Sequence, residues 1–219
     1  MAAGEGTRLR PLTERWAKPV LPIDGRPVVV TTVHELTAAG CAPIVVVTGH
    51  LREQVESLLR PLPYDLRFVV QPEPLGSADA VARAALAAPY VVSGADTVYG
   101  RGDVERFVRD AAHSDGAIAV RVQQGRPDHT RIHVEGGRVV RVSAPDAPGP
   151  WTAAPLWLVG ESVAPHLLPL PPGPPHELAD VFQLAIDAGA AVSAIQIGRT
   201  RDLTSPVDLV RENFPYLMT

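Results

Sequence analysis

Gly4-Glu5-Gly6-Thr7-Arg8-Leu9-Arg10-Pro11-Leu12-Thr13, followed by Lys18-Pro19, is the stretch on which this 219-residue sequence turns. Glycines at 4 and 6 let backbone N–H groups close round phosphate oxygens without Cβ interference. Arg8 and Lys18 add charge that can neutralise a polyphosphate. Glycine pairs are common in turns, and a solvated basic loop is the competing explanation; the spacing to Lys18 decides for a triphosphate. The segment is not a Walker A loop, since no Gly-Lys-Ser/Thr follows. It is not the dinucleotide fingerprint either, because the third glycine is missing.

Outward from this loop, short apolar β-branched runs alternate with helical patterns, as in a parallel sheet covered by helices on both faces. Arg26 to Ala39 reads as a helix with Pro27 in its first turn, Val29, Val30, Val33 and Leu36 near one face, and Gly40 as the stop. Ile44 to Thr48 reads as a buried strand. Leu51, Val55, Leu58 and Leu59 repeat at helical spacing, and Leu66 to Val70 returns to strand chemistry. Ser77 to Ala88 is an alanine-rich helix, Tyr90 to Ser93 a strand, Asp103 to Ser114 a helix and Ala117 to Val122 a strand.

Beyond this the texture changes. Arg131 to Val134 and Arg138 to Val142 flank Glu135-Gly136-Gly137 and predict an antiparallel insert. Ala144 to Pro175 is proline-rich and is expected to be a surface excursion beside a strand at Leu156 to Val159. Helix (Glu177 to Ala188), strand (Val192 to Ile197) and helix (Pro206 to Asn213) close the pattern. The expectation is one α/β domain over 1–219: a mostly parallel mixed sheet flanked by helices, with a nucleotide-binding half at 1–125 and an acceptor-binding half at 126–219.

A formal net charge of -4, with 20 % charged residues, gives no electrostatic case for nucleic acid or a membrane surface. No apolar run approaches the ~18 residues of a bilayer span, and residues 1–20 lack a signal-peptide core, which points to the cytoplasm. Cys41 is the single cysteine, excluding a disulfide framework or a cysteine zinc site, and the seven histidines show no ligand spacing.

Ala2-Ala3-Gly4-Glu5-Gly6-Thr7-Arg8-Leu9 with Pro11-Leu12-Thr13 and Lys18-Pro19 resembles the signature of the sugar-1-phosphate nucleotidyltransferase family. Gln71-Pro72-Glu73-Pro74-Leu75-Gly76-Ser77-Ala78 is similar to that family's glutamine followed by a Pro-Leu-Gly-Thr-Ala-like turn. Val91-Val92-Ser93-Gly94-Ala95-Asp96 looks like its apolar strand ending in a metal-binding aspartate, and Asp202-Leu203-Thr204-Ser205-Pro206-Val207-Asp208-Leu209 like its Asp-x-x-Thr-Pro-x-Asp-Leu segment. The resemblance implies a Rossmann-like fold and transfer of NMP from an NTP to a phosphorylated small molecule, releasing pyrophosphate. It implies a nucleotide site of Ala3, Gly4, Gly6, Thr7, Arg8, Gln71, Gly76 and Ser77, with Arg8 and Lys18 catalytic, and Mg2+ held by Asp96 and Asp202. A glutamine amide offers both donor and acceptor, so UTP or dTTP is favoured, with CTP and GTP left open. Asp208 is expected to serve its helix dipole and not the metal.

The resemblance thins in the acceptor half. Ser143-Ala144-Pro145 stands where the family has Glu-Lys-Pro, Ala153-Ala154-Pro155 where it has Asn-Ala-Gly, and Thr130-Arg131 where it has Tyr-Gly. Arg131 is expected to replace the missing lysine on the acceptor phosphate, and Glu177, in Glu177-Leu178-Ala179-Asp180, to touch acceptor hydroxyls. About five apolar residues precede Ala-Ala-Gly in the family as the central first strand; here Met1 precedes Ala2, and a start assigned too late is the expectation. A non-catalytic nucleotide- or sugar-phosphate-sensing subunit of the same fold is the alternative function. A dinucleotide-dependent oxidoreductase would leave Lys18 and Asp202 without a role. A homo-oligomer is compatible with all of this.

Overall fold

The structure, a computed structural model, describes residues 1–122, 130–143 and 145–217. The expected boundary between halves at 125/126, and Ala144, lie outside the described residues.

The glycine loop runs through a 3-10 turn (Thr7–Leu9) into the one-turn helix α1 (Leu12–Arg15) and a second 3-10 turn (Lys18–Val20). A small hairpin, β1 (Pro22–Ile23) and β2 (Arg26–Pro27), then precedes helix α2 (Val28–Ala38). Arg26 and Pro27 were expected inside that helix. They pair instead with Ile23 and Pro22, so the helix starts one residue after the proline and buries Val28, Val29, Val33 and Leu36. Next come β3 (Ile44–Thr48), α3 (Arg52–Leu59), β4 (Leu66–Val70), α4 (Ser77–Ala84), β5 (Tyr90–Ser93), β6 (Thr97–Val98), α5 (Asp103–Ala111) and β7 (Gly116–Val122). Helix α4 stops short of Ala88 because Ala85 turns left-handed and Pro89 cannot continue a helix.

The expected hairpin is β8 (His133–Glu135) and β9 (Arg138–Arg141), joined through Gly136 and Gly137 at φ 52° and 77°, the double positive φ of a tight hairpin turn. Strand β10 (Trp151–Val159) is longer than expected. Its register against β7 shifts between Ala153 and Trp157, which accommodates Pro155, a residue without a ladder N–H. Helix α6 (Leu178–Asp187), β11 (Val192–Gln196), β12 (Arg201–Asp202) and α7 (Pro206–Asn213) complete the chain. At the start of α7, Asp208 accepts hydrogen bonds from the N–H groups of Thr204 (3.0 Å) and Ser205 (2.8 Å), so it caps the helix as its position suggests.

The main sheet is mixed, in the order β5-β10-β7-β11-β9-β8. Strand β11 runs parallel to β7, while β10 lies antiparallel to both β5 and β7, and the hairpin extends the edge through β9. Helices flank it; Phe107 of α5 and Phe182 of α6 are fully buried, the latter with its ring centroid 4.8 Å from that of Trp157.

Strands β3 and β4 form a separate parallel pair. Among the described residues, Met1 and Ala2 bridge β3 and β5: the Ala2 N–H donates to Val47 O (2.7 Å), the Met1 amine to Ser93 O (2.7 Å), and the Ala95 N–H to Met1 O (3.0 Å). The bridge of Ala2 to Thr48 is parallel, as a strand beside β3 would be. The rest of that lane is an apolar slot of about 530 Å³, lined by β3, β5 and residues such as Val33, Val81 and Val108. This is where a central strand was expected to be missing. Among the described residues no helix is long and apolar enough to cross a membrane.

Candidate nucleotide site

The ends of β3, β4 and β5 open on a cleft of about 580 Å³ lined by the glycine loop, Lys18, Gln71, Gly76, Ser77, Asp96 and Glu177. That is where open α/β sheets present ligands. The loop is held from below. Gly6 is left-handed at φ 65°; its carbonyl accepts from Thr13 Oγ1 (2.9 Å) and from the Leu9 N–H (2.9 Å). His50 Nε2 lies 2.8 Å from Thr13 O and the His50 N–H donates to Ala3 O (3.2 Å), tying the loop to the end of β3. A Cβ on Gly6 would stand 3.1 Å from Lys18 Cβ, so the glycine also sets the closeness of the lysine stem. Ala3, Gly4, Gly6, Thr7 and Arg8 all line the cleft.

Lys18 Nζ donates to Asp96 Oδ2 at 2.5 Å. Burial alone pushes the Asp96 carboxyl up, but the Lys18 ammonium outweighs it and holds the group below the usual carboxylate range. The antiparallel pairing of β12 with β6 sets Asp202 opposite Thr97, the neighbour of Asp96, although the two aspartates are 106 positions apart. The cleft wall there is made by Leu203 and Thr204, and Thr204 Oγ1 donates to Asp202 Oδ2 at 3.0 Å. Asp96 lines the cleft and Asp202, which does not, lies next to lining residues Leu203 and Thr204; these two carboxylates are the residues that would hold a hard cation such as Mg2+.

At the far side, Gln71 directly follows β4 and is 4 % exposed. Its Nε2 donates to Gly76 O (3.0 Å) and to Asp79 Oδ2 (2.7 Å). Gly76 has φ 107°, and a Cβ there would meet His176 O at 2.3 Å, so only glycine fits. Ser77 Oγ donates to Glu177 Oε2 (2.6 Å) and accepts from the Leu178 N–H (2.7 Å). Ser77 and Glu177, assigned to opposite substrates, thus meet in one contact.

The structure does not bring Arg131 to this cleft. Its guanidinium donates to the carbonyls of Ala147 (2.5 Å) and Gly149 (2.9 Å), bracing the loop before β10, and it is absent from the cleft lining. The expected role of Arg131 on the acceptor phosphate therefore has no support from the cleft lining; two loop carbonyls engage its guanidinium instead. Three contributors escaped the sequence. Asp79 and Arg83 are a salt bridge at i,i+4 on α4, a signal that was present, whereas the place of Pro175 in the lining depends on how the proline-rich loop folds back.

The protein-family model "Nucleotidyl transferase" matches residues 1–131. A 2-aminoethylphosphonate cytidylyltransferase from Lancefieldella rimae is 46 % identical over 54 residues, covering 25 % of this chain and 22 % of that protein. An N-acetylmuramate alpha-1-phosphate uridylyltransferase from Neisseria meningitidis serogroup B is 30 % identical over 135 residues, 61 % of this chain and 55 % of that one. The chain thus spans about a fifth to about half of these relatives' length. Among solved structures, one from Bacillus anthracis provisionally assigned as a glucose-1-phosphate thymidylyltransferase superposes with TM-score 0.85 at 18 % identity, covering 97 % of this chain and 91 % of that chain. The inositol-1-phosphate CTP transferase from T. maritima gives TM-score 0.80 at 19 % identity, covering 94 % and 88 %. These structures share the α/β fold, and with more than half of its length matched by the family model, this chain belongs to the nucleotidyl transferase family.

Proposed function

We propose that the protein transfers the nucleotidyl group of a pyrimidine nucleoside triphosphate to a small molecule carrying a phosphate or phosphonate, releasing pyrophosphate. The observation that carries this is the Lys18–Asp96 contact beside the glycine loop, at one end of a cleft whose other end holds Gln71, Gly76 and Glu177. An oxygen of the acceptor's anionic phosphorus group attacks the α-phosphorus; the bond to the bridging oxygen breaks, and pyrophosphate leaves with that electron pair. No protein nucleophile is required, so the work is positioning and charge neutralisation. The glycine-loop N–H groups, Arg8 and Lys18 hold the polyphosphate. Asp96 and Asp202 would hold Mg2+, which supplies neutralisation of charge on the phosphate oxygens. UTP and dTTP follow from the donor–acceptor character of a glutamine amide; CTP joins them because relatives named for cytidylyl transfer stand beside a uridylyltransferase. Sugar-1-phosphates and aminoalkyl phosphonates are the acceptor classes those names suggest. A water-exposed cytoplasmic setting suits such substrates.

The test is pyrophosphate release with each triphosphate against a panel of phosphorylated sugars, polyols and phosphonates, with and without Mg2+. Turnover that needs Mg2+ and falls with Asp202→Asn supports the proposal. Triphosphate binding with no turnover on any acceptor would move the protein to the sensing-subunit alternative.

A further inference from the structure

Gln71 has one amide nitrogen with two hydrogens, and both are spoken for. One goes to the Gly76 carbonyl and one to Asp79 Oδ2. The same Asp79 oxygen accepts from Arg83 Nε at 2.7 Å, and Asp79 is 5 % exposed. The Arg83 guanidinium, ahead of the opposing effect of burial, holds the Asp79 carboxyl below its ordinary range, so it accepts and does not donate. Turning the Gln71 amide over would set its carbonyl oxygen against a carboxylate and a carbonyl, two acceptor–acceptor contacts in a buried place. The orientation is thereby fixed by chemistry. What remains for the cleft is Oε1, to which no hydrogen bond forms among the described residues.

We propose that Asp79 sets the base preference of the site: by occupying the amide hydrogens of Gln71 together with Gly76, it leaves a lone acceptor that favours the 4-amino group of cytosine over the 4-oxo group of uracil or thymine. This rests on the nucleotidyl-transfer reading and narrows it to CTP. It reverses the ground on which UTP and dTTP were favoured, since the donor that would meet a 4-oxo group is already engaged. Asp79 acts through Gln71 and is a positioning residue.

The experiment compares kcat/KM for CTP and UTP in the wild type, Asp79→Asn and Gln71→Leu. The wild type is expected to prefer CTP by roughly tenfold or more, the scale of one well-made against one repelled hydrogen bond. An asparagine at 79 can donate to Gln71 Oε1 and let the amide turn, so the CTP:UTP ratio should fall roughly tenfold, through loss with CTP and gain with UTP. A merely structural role would lower both together and leave the ratio alone. Gln71→Leu should bring the ratio close to one and keeps the proposal falsifiable if Asp79→Asn does not fold. A wild type that uses UTP as well as CTP, an unchanged ratio in folded Asp79→Asn, or a retained preference in Gln71→Leu overturns it. Absence of turnover with every triphosphate would instead count against the transfer reading. Calorimetric binding of CTP and UTP without acceptor then still decides the base preference.

Discussion

Ser77 and Glu177, one hundred residues apart, share a 2.6 Å hydrogen bond at the mouth of the cleft. The serine hydroxyl also takes the N–H of Leu178, so one side chain at the start of α4 fixes both the first turn of α6 and the aim of the Glu177 carboxylate. The residue expected on the nucleotide and the residue expected on the acceptor are therefore joined through one hydroxyl.

Ser77→Ala should raise the acceptor KM by about tenfold, the worth of roughly one hydrogen bond, while the triphosphate KM changes less. Glu177→Gln, which keeps the shape and can still accept from Ser77, should act only if the charge itself is read by the acceptor. Initial-rate kinetics over an acceptor series check this; equal changes in both KM values would contradict it.

Replacing Lys18 by alanine should lower kcat by about 10²–10³-fold, the usual loss when a preorganised charge at a reacting centre is removed. Lys18→Ala would also leave Asp96 without its 2.5 Å partner. Single-turnover pyrophosphate release, with circular dichroism to confirm folding, is the measurement. A variant within a few-fold of wild type would remove Lys18 from the machinery.

Arg131→Ala should leave the acceptor KM unchanged and lower the melting temperature by roughly 2–4 °C per kcal/mol lost. The reason is that its guanidinium ties the carbonyls of Ala147 and Gly149. A raised KM with unaltered melting would restore the role first expected for it.

Glu35 is half-buried on α2, and burial first, then the nearby Asp103 carboxylate, pushes its carboxyl up to about 7. Its Oε2 is buried without a partner. Since the folded state binds this proton more tightly than the unfolded chain, whose carboxyl sits near 4.5, the stabilising protonated form is complete below about pH 4.5 and lost by about pH 7. Glu35→Gln should melt higher than wild type at pH 8, by a few degrees, and lie close to it at pH 5. A gap that does not widen between those pH values would contradict the assignment.

Much of this was legible in residue order. The runs at Ile44–Thr48 and Leu66–Val70 became β3 and β4 at the expected bounds, because five-residue β-branched stretches between turn signals leave little alternative. The cleft lining gathers Gly4, Gly6, Arg8, Lys18, Gln71, Gly76, Asp96 and Glu177 from four separate stretches, each marked by its own motif. What sequence could not settle was partner choice. Pro27 was compatible with a helix start and joined a hairpin; Arg131 was a spare cation until the loop carbonyls claimed it. Gln71 had a donor to offer until Asp79 took it, and such competition between nearby acceptors exists only in three dimensions.

The two residues that stitch β3 to β5 make the amino terminus a poor place for a purification handle. Anything fused ahead of Met1 must either enter the greasy lane between those strands or pull the Met1 amine off Ser93, and a charged or flexible tag would do the second. A fusion opening with three or four β-branched apolar residues would instead extend the ladder along Ile44–Val46 and Tyr90–Val92 and should raise the melting temperature.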